Sequence, residues 1–175
     1  MLHGRDSGTE VMTPRSFANG CHLHSTSMDI FTLLTQQHRQ AKTLLDELAA
    51  GEDLSQRGRA ELLSELQALF RAHHRIEEGV AYDALDQDQK TCDVARTARQ
   101  EHECIENLLM RLCSERDEDQ WREILEELRK ATEAHIEHEE SVVFDCLRRV
   151  SDSRALDRMI EYTTLERRES ADIAR

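Results

Sequence analysis

The amino-acid sequence predicts an all-α fold: an up-down-up-down antiparallel four-helix bundle with a short fifth C-terminal helix and a disordered N-terminal tail. The 175 residues include one Pro, six Gly and 34% charged side chains, a composition typical of long helices. Apolar residues recur at three- and four-residue intervals in four successive segments. Short connections join these segments, so consecutive helices are expected to be antiparallel neighbours.

The chain also contains an internal duplication. Residues 72–85 read AHHRIEEGVAYDAL and align without a gap with residues 134–147, which read AHIEHEESVVFDCL. Upstream, residues 37–48 (QHRQAKTLLDEL) match residues 101–112 (EHECIENLLMRL). The bundle is therefore expected to consist of two similar helical hairpins, with matched residues at equivalent positions.

The N-terminal segment differs from the rest of the chain. It holds three of the six Gly and the only Pro, with many Ser and Thr and no helical periodicity. Such a segment buries too little apolar surface to fold, which predicts a disordered extension over residues 1–27. The remaining residues, 28–175, are predicted to form one domain with its core at 28–150.

The first two helices are predicted from their apolar stripes. The first covers about residues 28–50 and ends at Gly51. The second covers about residues 56–86, where a leucine-rich stripe begins at Leu62 and continues through Ala81. In each helix a histidine lies within the stripe.

The third helix is predicted over about residues 90–115. Its inward positions are Val94, Ala98, His102, Ile105, Leu108, Leu109 and Leu112. The fourth covers about residues 119–150 and opens at Asp117 or Asp119, which are residues of the type that caps helix N-termini. Its inward positions are Ile124, Leu125, Leu128, His135, Glu139, Val142, Val143 and Cys146.

A shorter fifth helix is predicted over about residues 153–172, with Ser151 or Ser153 as its cap. We expect it to pack on the outside of the bundle through its apolar positions, which are Leu156, Met159, Ile160 and Leu165.

Composition excludes several classes of function. The net charge of −13 argues against a nucleic-acid partner, which would require excess Lys and Arg. No apolar run approaches the ~20 residues that span a bilayer, and no secretory signal is present, so a cytoplasmic protein is expected. The cysteines are odd in number and widely spaced, which predicts reduced thiols: Cys21, Cys92, Cys104, Cys113 and Cys146.

One set of polar residues falls inside the apolar stripes. Each of the four helices contributes a histidine, and the second and fourth add a glutamate one turn later, giving His38, His73, Glu77, His102, His135 and Glu139. Unpartnered carboxylates are costly in an apolar core, and a metal centre removes that cost. Six ligands exceed one tetrahedral zinc, so two metal ions bridged by Glu77 and Glu139 are the natural arrangement. The mixed nitrogen and oxygen donors suit iron or manganese, with zinc possible.

A metal-free helical interaction module is the alternative interpretation, because single histidines in a stripe are often ordinary core residues. The recurrence of histidines at matched positions of the duplication favours the metal site.

Residues 28–150 resemble the hemerythrin-like, or HHE cation-binding, family. The segment DIFTLLTQQHRQAKTLL is similar to the family's first helix, HHRIEEGVAYDAL and HIEHEESVVFDCL to its second and fourth, and EHECIENLL to its third. The resemblance implies that the six residues named above ligate two iron ions joined by an oxo or hydroxo bridge, with manganese or zinc less favoured.

The sequence departs from the oxygen-carrying members at one position. Those proteins have a fifth histidine one turn before the histidine of the third helix, where this chain has Ala98. The resemblance then implies an extra open or water-filled coordination position on the metal. It also implies reaction with oxygen, nitric oxide or peroxide, in oxidative or nitrosative stress or in iron handling. Catalase-like turnover of peroxide is one such reaction. A carrier, store or sensor without turnover is the alternative. A monomer or weak homodimer is expected.

Neighbouring residues leave smaller questions open. Glu106 lies four residues after the histidine of the third helix and could act as a replacement ligand. His74 precedes Glu78 by four residues, which permits a shifted register, but its counterpart in the duplication is Ile136, which favours the register of His73 and Glu77. Whether Glu106 or His74 joins the coordination is left open by the sequence. His138 is expected at the boundary of the site.

Two aromatic residues also occupy matched positions. Tyr82 in the first copy corresponds to Phe144 in the second. Both are expected to close the pocket around the metal site.

Overall fold

The computed structural model describes residues 29–51, 54–152 and 154–161. The disordered extension predicted over residues 1–27 and the C-terminal part of the predicted fifth helix lie outside these residues. Within them the all-α prediction is confirmed, since four long helical segments form a bundle and a shorter helix follows.

The helices are α1 (Ile30–Ala50), α2 (Gln56–Ile76), α3 (Tyr82–Asp86), α4 (Cys92–Ser114), α5 (Glu118–His138), α6 (Phe144–Val150) and α7 (154–161). A π-helical turn joins α2 to α3, and another joins α5 to α6, so each of these pairs forms one continuous bundle helix. Helix α1 contacts α2 and α5, and α4 contacts α2 and α5, which closes the four-helix arrangement.

Side-chain caps begin the helices. Asp29 accepts the backbone N–H of Thr32 at 2.8 Å, so the first helix starts at Ile30 rather than at residue 28. Asp117, one of the two predicted caps, accepts from Gln120 at 3.0 Å.

The predicted serine cap of the fifth helix is wrong. Asp152 accepts the backbone N–H of Ala155 at 2.8 Å and so takes that position. Gly51 ends α1 as predicted, but its backbone angle φ is −85°, so a left-handed conformation is not the reason for glycine there. A Cβ atom at this position would overlap the side chain of Leu54.

Two apolar clusters fill the bundle on either side of a polar layer. The lower apolar cluster lies between α1, α2, α4 and α5 and includes Leu66 and Leu128. The upper apolar cluster includes Leu34 and Leu147, and Met159 of α7 is buried in it. Helix α7 therefore packs against the upper end of the bundle, as its apolar positions predict.

The two π-helical turns occupy matched positions of the duplication, Glu77–Ala81 and Glu139–Val143. Tyr82 donates its backbone N–H to the carbonyl of Glu77, five residues earlier. Phe144 makes the equivalent bond in the fourth bundle helix. Isolated π turns of this kind occur frequently at functional sites.

The extra residue in each π turn rotates the residues that follow it about the helix axis. In an α-helix, residues five apart lie on different faces, whereas a π turn brings them onto the same face. Val142, predicted to point inward, is 38% exposed for this reason, while Phe144 is buried. The α-helical period assumed for this segment was therefore wrong over these residues.

None of the described helices combines the length and the apolar character needed to cross a membrane.

We predict that Leu128→Ala lowers the free energy of unfolding of the metal-free protein by about 2–5 kcal/mol, because Leu128 is fully buried in the lower apolar cluster. Met110→Ala is the control, since Met110 is 61% exposed and its truncation is expected to change stability by less than about 0.5 kcal/mol. Chemical denaturation followed by circular dichroism measures both. Equal effects of the two substitutions would contradict the packing described.

Candidate metal centre

The buried histidine and glutamate side chains form one layer between the two apolar clusters. His38 lies in α1 between the buried residues Leu34 and Ala41, and His102 lies in α4 between Ala98 and Ile105. The helical period that buries the leucines therefore also buries these imidazoles. The second and fourth bundle helices contribute their histidine and glutamate at the same level.

The structure brings together all six residues singled out from the sequence. These six residues are 0–3% exposed. They form two groups whose ligand atoms all lie within 4.8 Å of one another: His38, His73, Glu77 and Glu139, and Glu77, His102, His135 and Glu139. Both glutamates belong to both groups, which is the arrangement expected of carboxylates that bridge two cations.

Each glutamate faces imidazoles from more than one helix. Glu77 Oε1 lies 3.3 Å from His73 Nε2, and Glu77 Oε2 lies 3.2 Å from His102 Nε2. Glu139 Oε2 lies 3.0 Å from His38 Nε2 and 3.7 Å from His135 Nε2. The four imidazoles thus direct their Nε2 atoms at two central carboxyl groups.

The residue after each central glutamate orients a histidine of the other hairpin. Glu140 accepts from His38 Nδ1 at 2.9 Å, and Glu78 accepts from His102 Nδ1 at 2.7 Å. The bond from His102 holds the pKa of Glu78 below its ordinary value. In both copies, the first glutamate of the Glu-Glu pair points inward and the second holds a neighbouring imidazole from outside.

The residues that directly precede His38 and His102 in the sequence orient the two remaining imidazoles in the same way. Gln37 accepts from His73 Nδ1 at 3.0 Å, and Glu101 accepts from His135 Nδ1 at 3.1 Å. Because these oxygens only accept, the proton sits on Nδ1 and the Nε2 lone pair faces the interior. Outer partners of this kind fix the tautomer and the orientation of metal-ligating histidines.

Tyr82 and Phe144 meet the layer from the side of the upper apolar cluster, as expected. The Tyr82 hydroxyl donates to Glu139 Oε1 at 2.7 Å, and the hydroxyl oxygen of Tyr82 lies 3.2 Å from His102 Nε2. Phe144 stacks on His38 with ring centroids 6.2 Å apart. Burial, followed by the charges of the two central glutamates, raises the pKa of Tyr82, so its hydroxyl stays protonated.

Burial makes the charges in this layer costly. It raises the pKa of Glu77, and the neighbouring carboxylate of Glu139 raises it further. Burial also opposes ionisation of Glu139, but its contact with His38, together with its other contacts in the layer, outweighs burial and holds the Glu139 pKa low. Burial lowers the pKa of His73, which keeps that imidazole neutral.

The residues fit a cation. Among the described residues, no hydrogen-bond partner is available to His73 Nε2, His74 Nε2, His135 Nε2 or Glu77 Oε1, although all four atoms are buried. Buried acceptors without partners are destabilising, and metal ions would satisfy those of His73, His135 and Glu77. Neutral imidazoles and carboxylates are the donors that iron, manganese and zinc accept.

Three residues next to the six-residue cluster differ in how deeply they are buried. Glu106 accepts from His74 Nδ1 at 3.1 Å, and its side chain is half exposed, so its carboxylate is outside the layer. His138 is partly exposed at the boundary and contacts Glu101, as expected. His74, whose place the sequence left open, is buried and groups with His102 and His135.

The sequence interpretation missed the outer acceptors: Gln37, Glu78, Glu101 and Glu140. A signal for them exists in the duplication. Each copy has a second glutamate after the central one. The histidines of the first and third bundle helices each follow a polar residue with an acceptor oxygen.

Comparison with known proteins found a matching family model and a solved structure of similar fold. A family model described as the Hemerythrin HHE cation binding domain matches residues 29–162. The fold is similar to the crystal structure of a hemerythrin HHE cation binding domain-containing protein from Mycobacterium kansasii, with a TM-score of 0.68 and 22% sequence identity over 81% of this chain and 86% of that chain. An identity this low shows a shared fold. No curated protein gives a significant match.

We predict that Glu77→Gln stabilises the metal-free protein by at least about 1 kcal/mol at pH 8. The folded state raises the pKa of Glu77 above its ordinary value of 4.5, so the wild-type protein loses stability as pH rises from that value towards the folded pKa. Glutamine has nearly the same shape as glutamate and does not titrate. The advantage of the variant should therefore shrink as pH falls towards 4.5.

Denaturation curves at a series of pH values measure this effect. Glu137→Gln is the control. Glu137 lies on the solvent-exposed face of the fourth bundle helix, so this variant should show no such pH dependence. A Glu77→Gln variant that is equally or less stable than wild type at pH 8 would contradict the assigned shift.

Proposed function

The chain belongs to the hemerythrin HHE cation-binding family, and from this premise we propose that it is a non-heme di-iron protein. The metal ions would occupy the buried polar layer. The proposed ligands are His38, His73, Glu77, His102, His135 and Glu139.

The sharing of both glutamates between two ligand groups is the observation that carries this proposal. A single cation would use one group and leave the imidazoles of the other group without partners. Two cations side by side, bridged by Glu77 and Glu139, would engage all of them. The orphaned Nε2 atoms of His73 and His135, which belong to different groups, support the same conclusion.

The donor set favours iron or manganese over zinc, and similarity to hemerythrins favours iron. A mixture of imidazoles and carboxylates suits iron and manganese, while zinc usually takes four ligands in a closed tetrahedral site. Manganese fits the same residues and ranks second.

Bound iron would supply redox chemistry towards oxygen, nitric oxide or peroxide. The chain's own residues define where that chemistry can occur. The two apolar clusters exclude bulk water from the layer, which strengthens electrostatic interactions within it. Tyr82 places a protonated hydroxyl 2.7 Å from Glu139, where it can stabilise negative charge on that carboxylate.

We propose that the protein handles small diatomic or peroxide ligands in oxidative or nitrosative stress or in iron handling. Ala98 supports a reactive centre over a saturated one, because it removes a nitrogen ligand from the third bundle helix. We place the protein in the cytoplasm. The cysteines of the described residues are free thiols, which a reducing compartment preserves.

We predict that the wild-type protein, loaded anaerobically with Fe²⁺, binds two iron ions per chain, and that His73→Ala with His135→Ala abolishes this binding. Each substitution removes one ligand from a different group. Metal analysis after desalting measures the stoichiometry, and thermal melting measures the stabilisation that binding confers.

His138→Ala serves as the matched control, because this partly exposed histidine lies on the same helix as His135 but outside both ligand groups. A double variant that retains two iron ions would show that the cluster is not the metal site. The same protein purified from its native host identifies the metal loaded in the cell.

Peroxide disproportionation is the expected activity of the iron-loaded protein. Adding hydrogen peroxide should release oxygen, measured with an oxygen electrode, at a rate well above that of the double histidine variant mixed with the same iron. Absence of oxygen release, together with reversible colour change on cycling between oxygen and argon, would instead identify a carrier or sensor.

A further inference from the structure

His74 is a buried histidine that the proposed ligand set does not use. Its side chain is 4% exposed, and its Nε2 atom has no hydrogen-bond partner among the described residues. Its Nδ1 atom lies 3.1 Å from Glu106 Oε1, and because a carboxylate oxygen only accepts, the ring proton is on Nδ1. Burial lowers the pKa of His74 and keeps the ring neutral. Nε2 is therefore a hydrogen-bond acceptor without a donor.

A cation shared with His102 does not satisfy this nitrogen. The two rings stack with centroids 3.7 Å apart and planes inclined by 10°. Parallel rings direct their lone pairs side by side, so the two rings do not converge on one ion. His74 also groups with His102 and His135 but with neither central glutamate. It therefore lies beside the proposed ligand set and outside it.

Packing does not require a nitrogen at this position. Phenylalanine would keep the ring stack on His102, and it would avoid the free-energy cost of a buried acceptor that has no partner. The Nε2 atom of His74 therefore calls for a donor that the described residues do not supply.

That donor would lie next to the proposed metal ligands. A ring nitrogen of His74 lies within 4.8 Å of ring nitrogens of His102 and His135. One oxygen atom can bridge a gap of this size while it keeps a hydrogen bond of ordinary length to Nε2. A small molecule that donates to His74 would therefore sit beside the two imidazoles proposed to hold one of the metal ions.

A surface groove approaches His74 from the other side. Phe70, Glu106 and the 61% exposed Met110 line this groove. Two of these residues contact His74: the Phe70 ring lies 5.6 Å from its ring, and Glu106 holds its Nδ1. His74 thus lies between the groove and the polar layer.

We propose that His74 Nε2 accepts a hydrogen bond from a small hydroxylic ligand at the His102 end of the centre, and that it thereby favours hydrogen peroxide over oxygen and nitric oxide. This inference rests on the proposed di-iron function and deepens it. Hydrogen peroxide has two O–H donors, whereas oxygen and nitric oxide have none. A ligand without hydrogen leaves the buried nitrogen unpartnered, which weakens its binding relative to peroxide.

The test uses protein loaded anaerobically with Co²⁺ and two small probes. Hydroxylamine is close to hydrogen peroxide in size and has an O–H donor, whereas azide has no hydrogen. The visible absorption of bound Co²⁺ reports the binding of each probe. We expect His74→Phe to bind hydroxylamine about three- to tenfold more weakly than wild type, which corresponds to the loss of one hydrogen bond, and to bind azide no more weakly.

The ratio of the two affinities decides the outcome, because it does not depend on the fraction of chains that fold and take up metal. His74→Gln keeps an acceptor oxygen and should hold the ratio near that of wild type. His138→Phe is the matched control and should leave the ratio unchanged. A wild-type ratio in His74→Phe would show that His74 only packs. His74→Leu, a second variant without an acceptor, replaces His74→Phe if that protein does not take up Co²⁺.

Measurements on wild type separate this inference from the function on which it rests. Wild type that fails to bind two Co²⁺ equivalents would overturn the two-metal centre and the role of His74 with it. Wild type that binds two equivalents and azide, but does not bind hydroxylamine, would overturn the role of His74 alone.

Discussion

The structure depends on one constraint: two carboxyl groups and five imidazoles are buried together in a layer that excludes water. Such a layer is unfavourable without a cation, because several of its atoms have no hydrogen-bond partner among the described residues. The two apolar clusters above and below it supply the burial that offsets this cost. The fold therefore holds these donor atoms in place without a metal, and binding of a cation there would act directly on the stability of the protein.

The duplication explains how a small bundle orients so many imidazoles. In each hairpin, a Glu-Glu pair contributes one inward carboxylate and one outer acceptor, as Glu77 and Glu78 do in the first copy. The polar residue before the histidine of the first or third bundle helix orients the imidazole of the following bundle helix, as Gln37 does for His73. Two short sequence patterns, each used twice, thus produce both halves of the inner layer and most of its outer support.

The differences between the halves are as informative as the repeats. Tyr82 offers a hydroxyl to the centre, whereas Phe144 at the equivalent place offers only a ring. His74 faces the layer in one copy, and its counterpart Ile136 is apolar. Each difference distinguishes one end of the centre from the other. A site built from a duplicated sequence therefore has two unequal ends.

The sequence by itself determined the class of fold, the four bundle helices to within a few residues, and the six residues that meet at the polar layer. It could do so because the α-helical period links burial to spacing, so that a histidine and a glutamate four residues apart share a buried face. The π turns break that period, which explains why Val142, predicted to point inward, is carried outward. Only the tertiary structure decided that His74 faces the layer and that Glu106 holds it from outside. Those positions depend on how helices from different parts of the chain approach one another, and spacing along a single helix contains no information about that distance.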